Sequence, residues 1–218
     1  DQYSSELRLH TNSGETFEGQ AGLFAYYSEF DSLGTFQMSP SLVRNIGLDL
    51  FYPDGSLNVD TNLYTTTSMA AFGQLIWNVS DKFSATFGLR YTYEKKEREG
   101  SQITTGLAEG FPSIDLPPVA GPDVYYDDNR SDSDVSPTIN LRYFIDENLM
   151  TYASISRGFK SGGFNQRREV SGSNGEFDEE IATNYELGWK GTWLDRRLQI
   201  NGTVYFINYD DFQSQGFD

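Results

Sequence analysis

The sequence predicts an all-β protein, an antiparallel sheet of long strands that crosses a membrane as a segment of a transmembrane β-barrel. Three observations support this prediction. Apolar and polar residues alternate with a period of two, the alternating stretches are long, and short connections alternate with long ones along the 218 residues. A period of two places successive side chains on opposite faces of a strand. No stretch has the spacing of a convincing amphipathic helix.

The clearest strand is the stretch KFSATFGLRYTYEKKE, which begins at residue 82. Its apolar face carries Phe83, Ala85, Phe87, Leu89, Tyr91 and Tyr93, and polar residues and Gly88 occupy the other face. The same alternation recurs at 136–145, 182–193 and 197–209, and in weaker form at 5–11, 19–30, 64–79 and 149–157. We therefore expect about eight strands. The longest, at roughly 12–16 residues, would span about 40–50 Å, well beyond the usual strand of about 5–6 residues.

The connections divide into two kinds. Tight turns at 78–83, 144–149 and 193–198 contain Asp81, Asp146 and Asp195, and a looser turn lies at 11–18; aspartate favours turns because its side chain can accept a hydrogen bond from the backbone two residues on. Long connections span about 31–63, 98–133 and 158–178. Antiparallel strands bring all three to the same end of the sheet. Tight turns at one end and long loops at the other are typical of outer-membrane barrels, in which the long loops are extracellular and the tight turns are periplasmic.

The two faces then have separate expected roles. In a membrane barrel the apolar face contacts lipid and the polar face lines the lumen. The expected lumen-facing residues are charged: Arg90, Glu94, Arg142, Glu186 and Lys190. Trp77 and Trp193 lie beside tight turns, with Tyr91 and Tyr93 toward the opposite end. These are the positions of interfacial aromatic girdles.

Composition excludes several classes of function. The chain has 32 acidic and 16 basic residues, which argues against a nucleic-acid partner because phosphate binding needs clustered cations. Cysteine is absent and the sole histidine is His10, so the chain lacks the residues for a thiolate or histidine metal centre or a serine–histidine triad. The acidic stretch 123–134 lacks EF-hand spacing, and the basic stretch 156–168 lacks the phosphate-loop pattern. We expect no catalytic activity, no cofactor and no metal.

Three blocks of sequence resemble consecutive barrel segments of a known family. FGQLIWNVSDKFSATFGLRYTYEKKE, SPTINLRYFIDENLMTYASISRGFKSGGFN and NYELGWKGTWLDRRLQINGTVYFINYDDFQ are similar to TonB-dependent outer-membrane receptors of the ferric-siderophore type. The resemblance fails in 31–63 and 98–133. It implies a bacterial outer-membrane protein with a 22-stranded barrel and an N-terminal plug that engages TonB. The family imports ferric siderophores, haem, cobalamin or carbohydrates. On this interpretation residues 1–218 are part of one barrel domain, without the plug and the remaining strands.

Ligand-binding candidates follow from the extracellular mouth that the resemblance implies. They are cationic or aromatic residues near the long connections: Tyr125, Tyr126, Arg130, Arg157, Lys160, Arg167 and Arg168. Cations suit an anionic ferric complex, and aromatic rings suit a flat ligand. The alternative is that these cations pair with loop carboxylates and order the loops. Two other functions stay open: a passive porin-like barrel and a soluble β-rich binding module.

Overall fold

The computed structural model describes residues 1–12, 16–109, 123–165 and 175–214. Within these ranges the elements follow the chain as β1 (Gln2–Asn12), β2 (Phe17–Met38), α1 (Pro40–Asn45), β3 (Ser56–Ser80), β4 (Phe83–Thr105), β5 (Val124–Phe144), β6 (Leu149–Lys160), β7 (Gly163–Phe164), β8 (Glu176–Phe177), β9 (Glu180–Trp193) and β10 (Leu198–Asp210). The prediction of an all-β chain is confirmed. No helix among these residues has the length and apolar character needed to cross a membrane.

Eight of the strands form one antiparallel meander. Their order in the sheet is β1-β2-β3-β4-β5-β6-β9-β10, and β7 pairs with β8 in a separate two-stranded ribbon between β6 and β9. All eight strand candidates are present, and each long strand is paired with its neighbour in sequence, apart from this inserted ribbon. The number of strands and the antiparallel sheet follow the sequence-based prediction.

The predicted bounds of two long connections are wrong. β2 continues to Met38 and β3 begins at Ser56, so only 39–55 of the predicted loop 31–63 lies outside these strands. Likewise β4 continues to Thr105 and β5 begins at Val124, inside the predicted loop 98–133. In the connection predicted at 158–178, β6 extends to Lys160. At the ends of β2, β4 and β5 both faces are largely polar, so the alternation disappears there although the backbone ladder continues; β3 keeps it at Leu57, Val59 and Leu63.

The strand register separates an apolar face from a polar face. One row of this apolar face crosses five strands through Leu7, Leu23, Ala71, Tyr91 and Val135. Leu89 on the same face is 55% exposed. On β4 this apolar face runs from Phe83 to Tyr93, about 34 Å along the strand and about 26 Å along the membrane normal at a tilt of roughly 40°. Outer-membrane barrels carry an apolar band about 25 Å tall. Beyond Tyr93 the strand continues for about 40 Å with polar residues on both faces.

Side chains fix the tight turns. The Oδ1 atom of Asp146 accepts hydrogen bonds from the backbone N–H groups of Asn148 at 2.7 Å and Leu149 at 3.0 Å, which is the turn role expected for aspartate. In the turn between β3 and β4, the Oγ atom of Ser80 accepts from the backbone of Phe83 at 3.1 Å. Trp77 stacks on Phe17 beside this turn, with ring centroids 6.0 Å apart.

A small apolar cluster closes the connection between β2 and β3. Met38, Val43 and Tyr52 are buried there. Ser39 caps α1, because its Oγ atom accepts from the backbone N–H of Leu42 at 3.3 Å, and Pro40 occupies the first turn. This one-turn helix lies far from the apolar band, at the polar ends of the strands.

Candidate functional site

The predicted lumen-facing residues all project from the polar face. In the ladder between β4 and β5, Arg90 pairs with Ser136 and Glu94 pairs with Asp132, one position away from the apolar rows. The remaining three lie on the same face nearer to the tight turns: Arg142, Glu186 and Lys190. All five therefore share the polar face of the sheet, and their position in a lumen stays a prediction.

An open cleft of about 430 Å³ lies on the polar face of β2, β3 and β4. It forms because the chain leaving β6 crosses over β5 and reaches β4, where the Ser161 hydroxyl donates a hydrogen bond to Glu94. The side chains that line it combine aromatic and charged groups: Phe24, Tyr26, Arg90, Glu94, Lys160 and Ser161.

Aromatic rings hold one cation of the cleft in place. The guanidinium of Arg90 lies 5.3 Å from the ring centroid of Phe24 and 5.7 Å from that of Phe72. Its Nε atom also donates a hydrogen bond to the Thr92 hydroxyl at 3.1 Å. These contacts orient the guanidinium without neutralising its charge, because rings and hydroxyls carry no net negative charge.

The other charges of the cleft differ in their partners. Glu94 is 3.3 Å from the ammonium of Lys96, so its negative charge is compensated. Lys160 is exposed and forms no ion pair among the described residues. The cleft thus offers two cations, Arg90 and Lys160, beside aromatic surface. Such a set of groups suits a flat, anionic, oxygen-rich ligand.

Arg130, a predicted ligand contact, is instead buried among carboxylates. It forms ion pairs with Asp132 at 2.6 Å, Glu176 at 3.1 Å and Glu179 at 3.5 Å, and its side chain is 8% exposed. The hydrogen bond to Asp132 is the main cause that raises the pKa of the Arg130 guanidinium. These contacts favour the alternative interpretation, in which Arg130 pairs with carboxylates of the β6–β9 connection and orders it.

Arg157 is also paired. Its Nη1 atom donates to Asp134 and to the backbone carbonyl of Val135, the latter at 2.7 Å. Asp128 is likewise engaged, because Arg98 forms an ion pair with it. Each of the carboxylates Asp128, Asp132 and Asp134 therefore faces an arginine, and no group of acidic side chains or histidine suited to a metal ion occurs in the described part of the chain.

The two predicted tyrosines lie on opposite faces. Tyr126 is on the polar face, where its hydroxyl donates to Gln102 at 3.1 Å and its ring lies 4.1 Å from the Arg98 guanidinium. Tyr125 is 73% exposed on the other face, away from the cleft. Because neighbouring residues of a strand point to opposite sides, only one of the pair can face the cleft side of the sheet. Arg167 and Arg168 lie outside the described residues.

Sequence reasoning missed Lys96 and Arg98. Lys96 donates to the Ser161 hydroxyl and the Gly162 carbonyl, each at 2.7 Å, and Arg98 donates to the Asn165 carbonyl at 3.1 Å. The signal was available, because both residues continue the even-numbered face of β4 that carries Arg90 and Glu94. Arg98 was missed because β4 was expected to end near residue 97. Lys96 lies inside the expected strand, but its partners Ser161 and Gly162 are 65 and 66 positions further along the chain.

A family model described as "TonB dependent receptor-like, beta-barrel" matches residues 1–218. The pesticin receptor of Yersinia pestis is 24% identical over 154 residues, which cover 70% of this chain and 20% of that receptor. The ferric-pyoverdine 358 receptor of Pseudomonas putida is 32% identical over 77 residues, which cover 35% of this chain and 9% of that receptor.

Solved structures share the fold. The ferric yersiniabactin uptake receptor FyuA from Yersinia pestis superposes with a TM-score of 0.76 at 18% identity, over 97% of this chain and 29% of that one. The siderophore receptor PiuA from Acinetobacter baumannii gives a TM-score of 0.61 at 14% identity, over 94% and 31% of the two chains. The chain spans about a fifth of the pesticin receptor and less than a third of these solved structures.

Proposed function

Because the chain belongs to the TonB-dependent receptor β-barrel family, we propose that it forms part of the barrel wall of a bacterial outer-membrane receptor that imports a ferric siderophore. The receptor draws energy from TonB, which engages a plug outside these residues. It is a transporter and has no catalytic role. The named relatives support this substrate class: one is described as a ferric-pyoverdine receptor, one as a ferric yersiniabactin uptake receptor and one as a siderophore receptor.

The observation that carries the proposal is the cleft on the polar face. Ferric siderophores are compact chelates whose iron is held by oxygen or nitrogen donors, and many carry negative charge and aromatic rings. Arg90 and Lys160 supply positive charge, and Phe24 and Tyr26 supply ring surface within the same cleft. Stacking and charge-assisted hydrogen bonds together favour such a ligand over a neutral carbohydrate.

An uptake experiment tests the proposal. The whole receptor is produced in cells that lack other ferric-siderophore receptors, and accumulation of radioactive iron is measured with ferric pyoverdine and ferric yersiniabactin as probes. We expect saturable uptake of at least one complex, lost when TonB is deleted. Uptake that persists without TonB would indicate the passive porin-like barrel instead. Uptake of neither complex would contradict the proposed substrate class.

Matched substitutions locate the site. Arg90→Ala together with Lys160→Ala is expected to raise the half-saturating concentration of the complex about tenfold or more, because two charge-assisted contacts are lost. Arg142→Ala is the control, since Arg142 lies on the same face near the tight turns and outside the cleft. Equal effects of the two changes would show that general positive charge, and not the cleft, attracts the ligand.

A further inference from the structure

The ladder between β5 and β6 ends earlier than its neighbours. Its last pair is Thr138 with Ser156, whereas β5 stays paired with β4 up to Val124 and β6 stays paired with β9 up to Lys160. We call the unladdered interval between β5 and β6 beyond this last pair the seam. It starts within the apolar band, where Pro137 of β5 lies opposite Leu89 of β4, and continues into the polar ends of the strands.

Pro137 explains where the seam begins. The Val135 carbonyl accepts a hydrogen bond from Arg157 of β6, so the backbone groups of Val135 point toward β6. Residues two apart in a strand direct their backbone groups to the same neighbouring strand. A residue with a backbone N–H at position 137 would therefore donate it to β6. Proline has no N–H, so the ladder loses a donor at this position. The side chain of Arg157 satisfies the Val135 carbonyl instead.

Beyond this point, side chains replace the ladder. The described parts of the β6–β9 connection, residues 161–165 and 175–179, lie over the polar face of β4 and β5; we call them the latch. Three cations of that face each donate to a backbone carbonyl of the latch: Lys96 to Gly162 at 2.7 Å, Arg98 to Asn165 at 3.1 Å and Arg130 to Phe177 at 2.6 Å. In return, the Gly162 N–H donates to Asp132 at 3.2 Å.

The latch also fits closely against the wall. Phe164 is 9% exposed, with its ring centroid 5.1 Å from the Arg98 guanidinium. A Cβ atom on Gly162 would lie 2.3 Å from the Arg130 guanidinium carbon and 2.3 Å from the Phe177 carbonyl oxygen. This position therefore needs glycine, because any side chain would displace the guanidinium that holds both arms of the latch.

We propose that residues 161–165 and 175–179 form a side-chain-held latch that closes the seam beside Pro137, and that Arg130 is its positioning residue. Arg130 reaches Phe177 directly, and through Asp132 it orients the acceptor of the Gly162 N–H. Lys160 precedes the latch by one residue, so the same contacts determine where its ammonium stands in the cleft. The proposal does not depend on which ligand the receptor imports.

Amide hydrogen exchange of the whole receptor in detergent micelles tests the latch without any transport measurement. The informative variant is Arg130→Gln with Asp132→Asn, which removes both charges and leaves no buried ion unpaired. Asparagine still offers an acceptor to Gly162, so a loss of protection reports the loss of Arg130. We expect exchange across 161–165 to accelerate at least tenfold, while the turn at 144–149 exchanges as before.

Two further variants complete the experiment. Lys95→Gln with Glu97→Gln removes an ion pair of the same spacing on the exposed outer side of β4, and we expect no change in the latch. Lys96→Met removes the half-buried side chain that donates to the Gly162 carbonyl, and we expect exchange across 161–165 to accelerate about threefold. If Arg130→Gln with Asp132→Asn fails to assemble, Lys96→Met serves as the test of the latch. Unchanged exchange across 161–165 in Arg130→Gln with Asp132→Asn, or in Lys96→Met where that double variant does not assemble, would overturn the proposal, as would fast exchange there in the unaltered receptor.

Discussion

The guanidinium of Arg130 lies 2.6 Å from the carboxylate of Asp132, and both side chains are less than a tenth exposed on the polar face of β5. The two residues are separated by one position along the strand, so both project from the same face. Their burial comes from the β6–β9 connection, whose Glu176 and Glu179 also approach Arg130. The Arg130–Asp132 pair therefore attaches the β6–β9 connection, which is distant in sequence, to the polar face of β5.

Arg130→Ala is expected to destabilise the receptor strongly. It leaves the Asp132 carboxylate buried without its cation, a change that typically costs about 3–5 kcal/mol. Lys95→Ala is the control, because Lys95 and Glu97 form a pair that is about 40% exposed, and such pairs contribute roughly 0–1 kcal/mol. Equilibrium unfolding in urea, followed by tryptophan fluorescence in lipid vesicles, measures both. Equal losses would show that the burial of Arg130 contributes nothing.

Leu89→Lys tests the apolar band. Leu89 lies at mid-height on the apolar face of β4, where a lysine facing lipid costs about 2–4 kcal/mol in a membrane barrel. Asn129→Lys, on the same face beyond Tyr93 and opposite Glu97, should cost less than about 1 kcal/mol. The same unfolding assay compares them. If Leu89→Lys proved as harmless as Asn129→Lys, this face would not contact lipid.

Gly100→Ala tests the strand extension beyond the band. A Cβ atom there would lie 2.1 Å from the Thr61 carbonyl oxygen and 2.8 Å from the Asn62 Cα, both in the backbone of β3. The β3–β4 ladder must shift, so we expect faster amide exchange at 56–63. At Gly158 nothing lies within 4 Å of an added Cβ, and Gly158→Ala should leave exchange unchanged. Unchanged exchange in Gly100→Ala would mean that this ladder does not form.

Phe24→Ala and Tyr125→Ala distinguish the cleft from the outer surface. Phe24 lines the cleft and supports the Arg90 guanidinium, so its loss is expected to weaken binding of the ferric complex about tenfold. Tyr125 points from the opposite face, and Tyr125→Ala should leave affinity within twofold. Quenching of intrinsic fluorescence by the added complex gives both affinities. A larger effect of Tyr125→Ala would place the ligand on the other face of the wall.

The sequence predicted the apolar band better than the strands beyond it. Within the band, lipid on one side and polar surroundings on the other impose the period of two, so Phe83 to Tyr93 could be recognised and Arg90 and Glu94 assigned to the polar face. Beyond Tyr93 both faces of β4 are largely polar and its period is lost; β3 still alternates at Leu57, Val59 and Leu63, but that short stretch was assigned to a long connection. The ends of β2, β3, β4 and β5 were therefore mistaken for loops.

The sequence by itself determined the all-β class, the eight long strands, the tight turns and the separation of the two faces. Each of these depends on local pattern, on side-chain alternation and on turn chemistry. Only the tertiary structure decided the roles of the cations. Arg130 is buried by the connection that crosses β5, and Lys160 stands in the cleft because the adjacent Ser161 contacts β4. Such pairings join residues more than 40 positions apart, and a one-dimensional pattern carries no signal for them.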